Sequence, residues 1–254
     1  MTICLIFCLH YKVVYQNNEA LMASKQALSG DDIYRHIQES VLEQRLMPGT
    51  RMAEEALCTI YGTGRATIRK VLVMLAEDQI VTLERNKGAV IASPTVDEAR
   101  QVFEARQALE ISLLDWAMQR ATASDIKKLY AHIERERAAL RQGNIGEWVR
   151  LSGEFHLVLA KSARNEVFFC FLEKLVFRTS LIVGLYGKAA AVNCCVDDHV
   201  HLVQALEKAD QVTGRALLIE HLGHIEERLV FTDPGGDEDL YRALSPSLIK
   251  RKAS

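Results

Sequence analysis

The chain has 254 residues, 49% of them hydrophobic and 25% charged, which is the balance of a folded globular protein and excludes a disordered chain. Its formal net charge of −2 excludes nucleic-acid binding through overall basicity, so a DNA-binding hypothesis depends on where the cations lie. The six cysteines form no CxxC pair, and we expect the reduced thiols of a cytoplasmic protein.

The first 30 residues fit no pattern that continues into the rest of the chain. The apolar run at 3–9 is too short to span a bilayer, and it lacks the basic leader and cleavage site of a signal peptide. We expect residues 1–30 to be an extension that is disordered or precedes the true start, with Met22 as the candidate start. No membrane segment is expected.

A helix is predicted to begin at Asp31, where Asp31 or Asp32 can cap the first turn. Ile33 and Ile37 recur at helical spacing, so they form one apolar face. The helix ends before Pro48, because the residue that precedes a proline avoids the helical region.

Two short helices follow, at about 53–62 and 65–78, and the first of them ends in glycine. Short β-prone runs at 81–83 and 89–91 flank a polar segment that ends in glycine, as a hairpin tip does. This order predicts a winged helix-turn-helix with a small β-hairpin wing, which we assign to residues 31–93.

The helix at 65–78 predicts a DNA-reading surface. No acidic residue occurs from Tyr61 to Ala76, while Arg65 and Arg69 lie one turn apart on the same helix face. A helix fits the major groove, and an arginine fork can bond guanine. The alternative is a solvated helix whose arginines bind nothing, but the glycine turn and wing favour DNA. The predicted DNA contacts are Arg35, Arg65, Thr67, Arg69, Lys70, Lys87 and Gly88.

Everything after the Ser93-Pro94 linker is predicted to be helical, and the simplest arrangement is an antiparallel bundle. We assign residues 94–232 to an effector-binding and dimerisation domain. A flexible tail is expected at 233–254, where a Pro-Gly-Gly stretch precedes a basic end. The predicted helices span 96–120, 124–142, 145–163, 165–187, 195–208 and 210–231.

Three histidines, His156, His199 and His221, belong to three different predicted helices and can converge inside a bundle. Three imidazoles suit Zn²⁺ or Ni²⁺ and leave positions open for another ligand. The alternative is that each is only a partly buried histidine. Arg106 is the candidate for holding an anion, because a guanidinium offers parallel donors to a carboxylate. Its alternative partner is Glu110, four residues on.

Residues 33–92 resemble the winged-helix domain of the GntR family of bacterial transcription regulators. The resemblance implies that Arg65 and Arg69 read the operator and that Gly88 lies at the wing tip. Where the family has serine, Thr-Pro and Glu-Ala, this chain has Gly64, Ala66-Thr67 and Lys70-Val71, so we predict an altered operator. The matching residues are Leu46-Met47-Pro48-Gly49, Glu54 with Leu57, Tyr61-Gly62, Arg65, Arg69 with Leu72, and Lys87-Gly88 before Val90.

Residues 96–231 resemble the all-helical FCD effector domain of the FadR-type branch. The resemblance implies that three histidines and an acid hold a divalent metal, with a small organic acid in the same cavity. In this chain Ser152 stands where the family has the metal-binding acid, and serine is a poor metal ligand. Asp197 and Asp198, which precede His199, are candidates to replace that acid. The predicted effector contacts are Arg106, Ser152 and Asn165, and the alternative for Asn165 is that it caps a helix. The matching stretches are Phe103-Glu104-Ala105-Arg106 with Leu109-Glu110, Phe155-His156, Ala163-Arg164-Asn165, His199 with Ala205-Leu206, and Asp210 followed by His221.

The leading hypothesis is a ligand-responsive transcription regulator that binds a palindromic DNA operator as a homodimer and responds to a small carboxylate. A second hypothesis is a DNA-binding regulator whose bundle holds no metal or is purely structural. A metal-dependent hydrolase is a remote third, because no HExxH motif is present and a winged helix has no purpose there. We therefore expect no enzyme.

Overall fold

The computed structural model describes residues 28–84, 88–187, 195–230, 240–241 and 243–244. The extension at 1–27 and the wing cation Lys87 lie outside these residues. No described helix is both long and apolar enough to cross a membrane. The elements are α1 (Gly30–Leu42), β1 (Arg51–Met52), α2 (Glu54–Tyr61), α3 (Arg65–Glu77), β2 (Val81–Glu84), β3 (Gly88–Ile91), α4 (Val96–Arg120), α5 (Ala123–Arg141), α6 (Ile145–Ser162), α7 (Glu166–Tyr186), α8 (Cys195–Glu207) and α9 (Gln211–Glu227).

Helix α1 is capped by Ser29, so the prediction of Asp31 or Asp32 as the N-cap was wrong. The Ser29 hydroxyl accepts a hydrogen bond from the Asp32 N–H at 3.2 Å. The Asp32 carboxylate in turn accepts one from the Ser29 N–H at 3.1 Å. This reciprocal arrangement is a capping box, in which the acid sits in the first turn and the hydroxyl residue precedes it.

The helix-turn-helix has the predicted glycine turn. Gly62 ends α2 in the left-handed conformation at φ 62°, which a residue without a side chain adopts at little cost. Gly64 stands at the N-cap of α3 without a side-chain hydrogen bond. Ile68 and Leu75 on the inner face of α3 are fully buried, so its polar face is left outward.

The wing is a three-stranded antiparallel sheet in the order β1-β3-β2. Strand β1 was not predicted, because two residues carry no alternation that a sequence can show. Gly88 begins β3 opposite Glu84, beside the segment at 85–87. It has a φ of 93°, and a Cβ there would lie 2.5 Å from the Met52 carbonyl oxygen. The sheet itself therefore requires this glycine.

The C-terminal domain is the predicted helical bundle, and its observed helix ends lie within a few residues of the predicted ones. Helix α4 contacts α6, α7, α8 and α9 within the bundle. Thr95 and Thr122 begin α4 and α5 with capping boxes, and Asp210 caps α9. The apolar core includes Leu113 and Phe155, both fully buried.

The two domains share a packed interface. Helix α1 packs against α6 and α7. Phe177 and Leu181 of α7 belong to the apolar cluster that forms the winged-helix core. The Tyr186 hydroxyl at the end of α7 donates a hydrogen bond to the Pro94 carbonyl at 2.8 Å and so holds the linker. These contacts give the winged helix a defined position on the bundle.

Most of the predicted tail at 233–254 lies outside the described residues, but four of its residues, 240–241 and 243–244, are described. Leu240, Ala243 and Leu244 are buried in the same cluster as the winged-helix core. A Pro-Gly-Gly stretch signals a break in regular structure, but it carries no information about whether apolar residues beyond it find a surface. The tertiary structure provides that surface.

Candidate metal and effector site, and the DNA-reading face

The bundle brings together His156 from α6, His199 from α8 and His221 from α9. All three are buried, and one nitrogen from each lies within 4.8 Å of the others. The Nε2 atoms of His156 and His221 are 3.2 Å apart. His199 Nε2 is buried and has no hydrogen-bond partner among the described residues. Three Nε2 atoms therefore face a common point.

Each of these histidines has the carboxyl group of an acidic residue behind it, at Nδ1. When Nδ1–H donates to a carboxylate, the lone pair of the neutral ring remains on Nε2, and the ring orientation is fixed. This arrangement is the one that suits imidazoles to bind a cation. The pairs are His156 with Glu110 at 2.6 Å, His199 with Glu136 at 2.9 Å and His221 with Asp198 at 3.1 Å.

The buried environment keeps two of the rings neutral. Burial lowers the pKa of His156 to about 4, although the Glu110 carboxylate opposes this shift. Burial and the neighbouring histidines lower the pKa of His199 well below its usual range. At neutral pH these rings therefore carry no proton that a metal would have to displace.

Arg106 and Glu110 form a buried ion pair, with Arg106 Nε 2.5 Å from Glu110 Oε1. Burial alone would raise the pKa of the Glu110 carboxyl, but Arg106 and His156 outweigh it and lower that pKa to about 2. Glu110 thus bridges the guanidinium to the first histidine. Arg106 Nη2 is also buried and has no hydrogen-bond partner among the described residues. Arg106 therefore pairs with Glu110, the alternative partner, and its Nη2 remains as a donor for an anion.

The other predicted effector and ligand positions have different surroundings. Ser152 is partly exposed on α6, one turn before His156, and the described histidine cluster includes no acid. Asn165 is the N-cap of α7, where its side chain accepts a hydrogen bond from the Phe168 N–H at 3.1 Å. Asp198 lies behind His221, whereas the Asp197 side chain is 80% exposed.

Glu136 was not recognised in the sequence. It is fully buried on α5, and burial raises its pKa to about 9. Its Oε1 has no hydrogen-bond partner among the described residues. The only available signal was its spacing of four residues from His132, which any exposed helix can show. Its role depends on α8 packing beside α5, which local sequence does not reveal.

The outward face of α3 carries the predicted base-reading cations. Arg65, Arg69 and Lys70 are exposed, and Thr67 is half-buried. Arg69 Nε donates to both carboxylate oxygens of Glu54, at 2.9 and 3.0 Å. Those hydrogen bonds raise the pKa of Arg69. The structure shows no hydrogen bond from the Nη groups of Arg69 to the described residues, so the fork remains available.

Arg35, the predicted phosphate clamp, is engaged within α1. It forms an ion pair with Asp32, and its Nε donates to the Asp31 carbonyl at 3.3 Å. A phosphate contact would therefore have to compete with Asp32. Gly88, by contrast, pairs with Glu84 at the start of β3.

A winged helix joined to a helical bundle with an internal histidine site defines the class of DNA-binding regulators that carry a sensor domain. The model of the bacterial regulatory proteins of the gntR family matches residues 29–91, and the FCD domain model matches residues 101–224. The chain therefore has a GntR-family DNA-binding domain followed by an FCD domain, as its sequence resemblance implied.

Curated relatives are transcription regulators and not enzymes. The repressor RspR of Escherichia coli K12 is 20% identical over 196 residues, which cover 77% of this chain and 86% of RspR. LutR of Bacillus subtilis is 21% identical and covers 72% of this chain and 93% of its own length. The Uxu operon regulator of Haemophilus influenzae is 24% identical, with coverages of 69% and 72%.

Solved structures share the fold. A putative GntR regulator from Rhodococcus sp. RHA1 matches with a TM-score of 0.70 at 16% identity, and the match covers 78% of this chain and 95% of that one. McbR/YncC of E. coli matches with a TM-score of 0.68 at 16% identity and coverages of 76% and 93%. The combination of a winged helix with a helical bundle therefore occurs in other proteins of known structure.

Proposed function

We propose that this regulator binds a palindromic operator as a homodimer and is controlled by a small organic acid, together with a divalent metal, in its helical domain. The observation that carries the proposal is the convergence of three buried imidazole nitrogens, one from each ring, with the carboxyl group of an acidic residue at each Nδ1. Since operators are read in the bacterial cytoplasm, we place its action there.

The residues present fit a divalent metal such as Zn²⁺ or Ni²⁺. His156, His199 and His221 would hold it, and the unpartnered Nε2 of His199 supports this assignment. Glu110, Glu136 and Asp198 would orient the three rings. When bound, such a metal supplies a Lewis-acid centre that attracts a carboxylate oxygen.

The effector we propose is a carboxylate that reaches Arg106. Its buried Nη2 lacks a partner among the described residues, and a buried donor without an acceptor is costly. With Ser152 at the position of the family's acid, none of the described residues adds a carboxylate to the three-histidine cluster. An effector carboxylate or water would take that position. Asn165 caps α7, where its side-chain oxygen accepts from the Phe168 N–H, so we assign the effector to Arg106 and the position of Ser152.

The DNA-binding part of the proposal rests on the exposed face of α3. Arg65 and Lys70 point outward there, beside the Arg69–Glu54 pair. A homodimer presents two such helices related by a two-fold axis, which matches two half-sites of a palindrome. The effector would then change the spacing or mobility of the two winged helices.

A regulator with a metal-free bundle is the second candidate, and one contact favours it. The 3.2 Å separation of His156 Nε2 and His221 Nε2 is within hydrogen-bond distance. One ring could donate to the other, so two of the three nitrogens would be satisfied without a cation. Metal analysis separates the two candidates.

For that analysis, the protein is purified without chelator or nickel resin, and its bound metals are measured by mass spectrometry. We expect about one divalent ion per chain. His199→Ala should lower the metal content at least tenfold, as expected for a ligand. His201→Ala, an exposed position on the same helix, should leave it unchanged. Metal-free protein, or equal content in both variants, would support the metal-free candidate.

The regulatory function is tested with DNA selected from a random-sequence pool. We expect an inverted repeat bound by two chains. Adding ZnCl₂ and small carboxylates should change the operator affinity by about 5-fold or more, as in other coupled sites. If neither metal depletion nor any of the carboxylates changes the operator affinity, the protein does not act as a sensor. If the selection recovers no DNA sequence, the protein does not bind an operator.

A further inference from the structure

The last described residues pack at the junction of the two domains. Leu244 is fully buried, while Leu240 and Ala243 expose only 7% and 6% of their surface. They belong to the apolar cluster formed by the winged-helix core and two α7 residues. We call residues 240–241 and 243–244 the C-terminal segment. Its apolar side chains fill a surface that the two domains build together.

A directed hydrogen bond fixes this segment in addition to apolar burial. Arg45, in the loop after α1, donates from Nη1 to the Ala243 carbonyl at 2.8 Å. The same guanidinium donates to the Ser40 hydroxyl and to Glu43, each at 2.8 Å. Arg45 is therefore held on both sides, and it ties the far end of the chain to the first helix of the DNA-binding domain.

The chain that leads to this segment starts at the histidine cavity. Helix α9 carries His221, and beyond its end Val230 donates its N–H to the Tyr186 carbonyl at 2.7 Å. Residues 231–239 then connect to the C-terminal segment. Nine residues can span at most about 30 Å, which is comparable to the diameter of a small domain. Only nine residues of chain therefore separate the end of the described chain after α9 from the docked segment.

We infer that the C-terminal segment is an internal ligand of the winged-helix domain and relays the state of the histidine cavity to it. The segment does not cover the DNA-reading face. Its apolar residues belong to the same cluster as the buried face of α3, whereas Arg65 and Lys70 lie on the exposed face of that helix. It therefore acts by holding the winged helix in one orientation on the bundle. The inference that the segment relays the state of the histidine site rests on the proposed function. The inference that the segment docks on the winged-helix domain does not.

The docking of the C-terminal segment is tested in the full-length protein by introducing an aspartate at a buried or at an exposed position of the segment. Leu244→Asp buries a carboxylate in the cluster, whereas Tyr241→Asp places it where the side chain is 47% exposed. We expect Leu244→Asp alone to speed hydrogen exchange at residues 43–50 and to lower the Tm by at least about 4 °C. Equal exchange and equal Tm in the two variants would overturn the docking.

Truncation gives a second test that adds no charge. A chain that ends at residue 239 lacks the segment, and a chain that ends at residue 244 keeps it. Fast exchange at 43–50 is expected only in the shorter chain. If both truncated chains exchange like the full-length protein, residues 240–244 do not brace the winged helix.

The relay is tested by zinc titration of operator binding. In the full-length protein ZnCl₂ should shift the operator Kd by about 5-fold or more, and in the chain ending at 239 by less than about 2-fold. The shorter chain should still bind one zinc. An unchanged zinc response in it would overturn the relay. A full-length protein without any zinc response would contradict the proposed function and the relay together, while hydrogen exchange still decides the docking.

Discussion

At the scale of single residues, acids placed beside cations decide what each cation can do. Glu54 holds Arg69 by Nε alone, so it orients the guanidinium and cancels its charge while the Nη groups remain available. Arg65 is exposed and forms no ion pair with a described residue. We therefore expect Arg69 to contribute more to base discrimination and less to phosphate attraction than its exposure suggests.

Replacing Glu54→Gln should release the charge of Arg69. Non-specific DNA affinity should rise and depend more steeply on salt, with the logarithmic slope changing by about one unit, while discrimination among operators falls. Arg65→Ala should cost about 1–3 kcal/mol of base discrimination. Binding is measured at several salt concentrations. Glu55→Gln, an exposed acid on the same helix, is the control, and an equal effect from it would contradict a specific role for Glu54.

Glu173 is a second residue whose charge matters, and it predicts a pH dependence of stability. Burial and Asp78 raise its pKa to about 7, against the attraction of Lys161 and Lys174. Tyr34, whose hydroxyl donates to Asp78 at 2.7 Å, lies in the same interdomain group. A carboxyl with a raised pKa holds its proton longer in the folded state than in the unfolded state.

This carboxyl therefore favours folding below its unfolded pKa of 4.5, and that contribution is lost as the pH rises through about 7. Glu173→Gln should stabilise the protein by about 1–3 kcal/mol at pH 8 and have little effect near pH 4.5. Urea unfolding at both pH values measures this. Glu166→Gln, at an exposed position on α7, should show no such difference. Destabilisation by Glu173→Gln at pH 8 would contradict the shift.

At the scale of helices and strands, hydroxyl, amide and carboxyl caps set where helices begin. Thr95, Thr122, Asn165 and Asp210 each accept a backbone hydrogen bond at a helix start. Such caps satisfy N–H groups that have no partner within the helix. The resemblance to the FCD family placed Asn165 among the effector contacts, whereas its observed hydrogen bond explains it as a cap.

Asn165→Ala should destabilise the protein by about 0.5–2 kcal/mol, because the Phe168 N–H loses its acceptor. Asn165→Asp, which keeps a capping oxygen, should retain most of the stability. Zinc affinity should be unchanged in both variants. Chemical denaturation and zinc titration measure the two properties. A loss of zinc or carboxylate affinity without a loss of stability would instead support the effector contact.

At the scale of the whole molecule, the histidine cavity and the DNA-binding domain are joined through packed helices. Glu110 links Arg106 on α4 to His156 on α6, and Tyr186 links α7 to the interdomain linker. Helix α1 lies on α6 and α7. Helix α6 therefore both carries a histidine of the cluster and supports the winged helix.

Zinc should stabilise the folded protein, because the three histidines come together only after folding. At 100 times its dissociation constant a ligand adds about 2.7 kcal/mol, which corresponds to a Tm rise of about 5–10 °C for a chain of this size. His221→Ala should abolish the rise and His201→Ala should preserve it. Thermal unfolding by circular dichroism measures this. A rise of equal size in the His221→Ala protein would place the zinc elsewhere.

The sequence by itself determined the local structure. Glycine turns, helical periodicity and proline breaks predicted the winged helix and six bundle helices, because these signals depend on the backbone preferences of neighbouring residues. The order of residues such as Arg65 and Arg69 was enough to indicate the family, and the three histidines were recognised by position. Strand β1, which consists of two residues, gave no such signal.

Only the tertiary structure decided which distant groups meet. It placed Glu110, Glu136 and Asp198 behind the three histidines, and it placed Leu244 in the core of the DNA-binding domain. These pairings join residues 23 to about 200 positions apart, and they depend on how whole helices pack. Local preferences extend over only a few residues. The ligand geometry and the docked segment therefore became visible only when the helices were assembled.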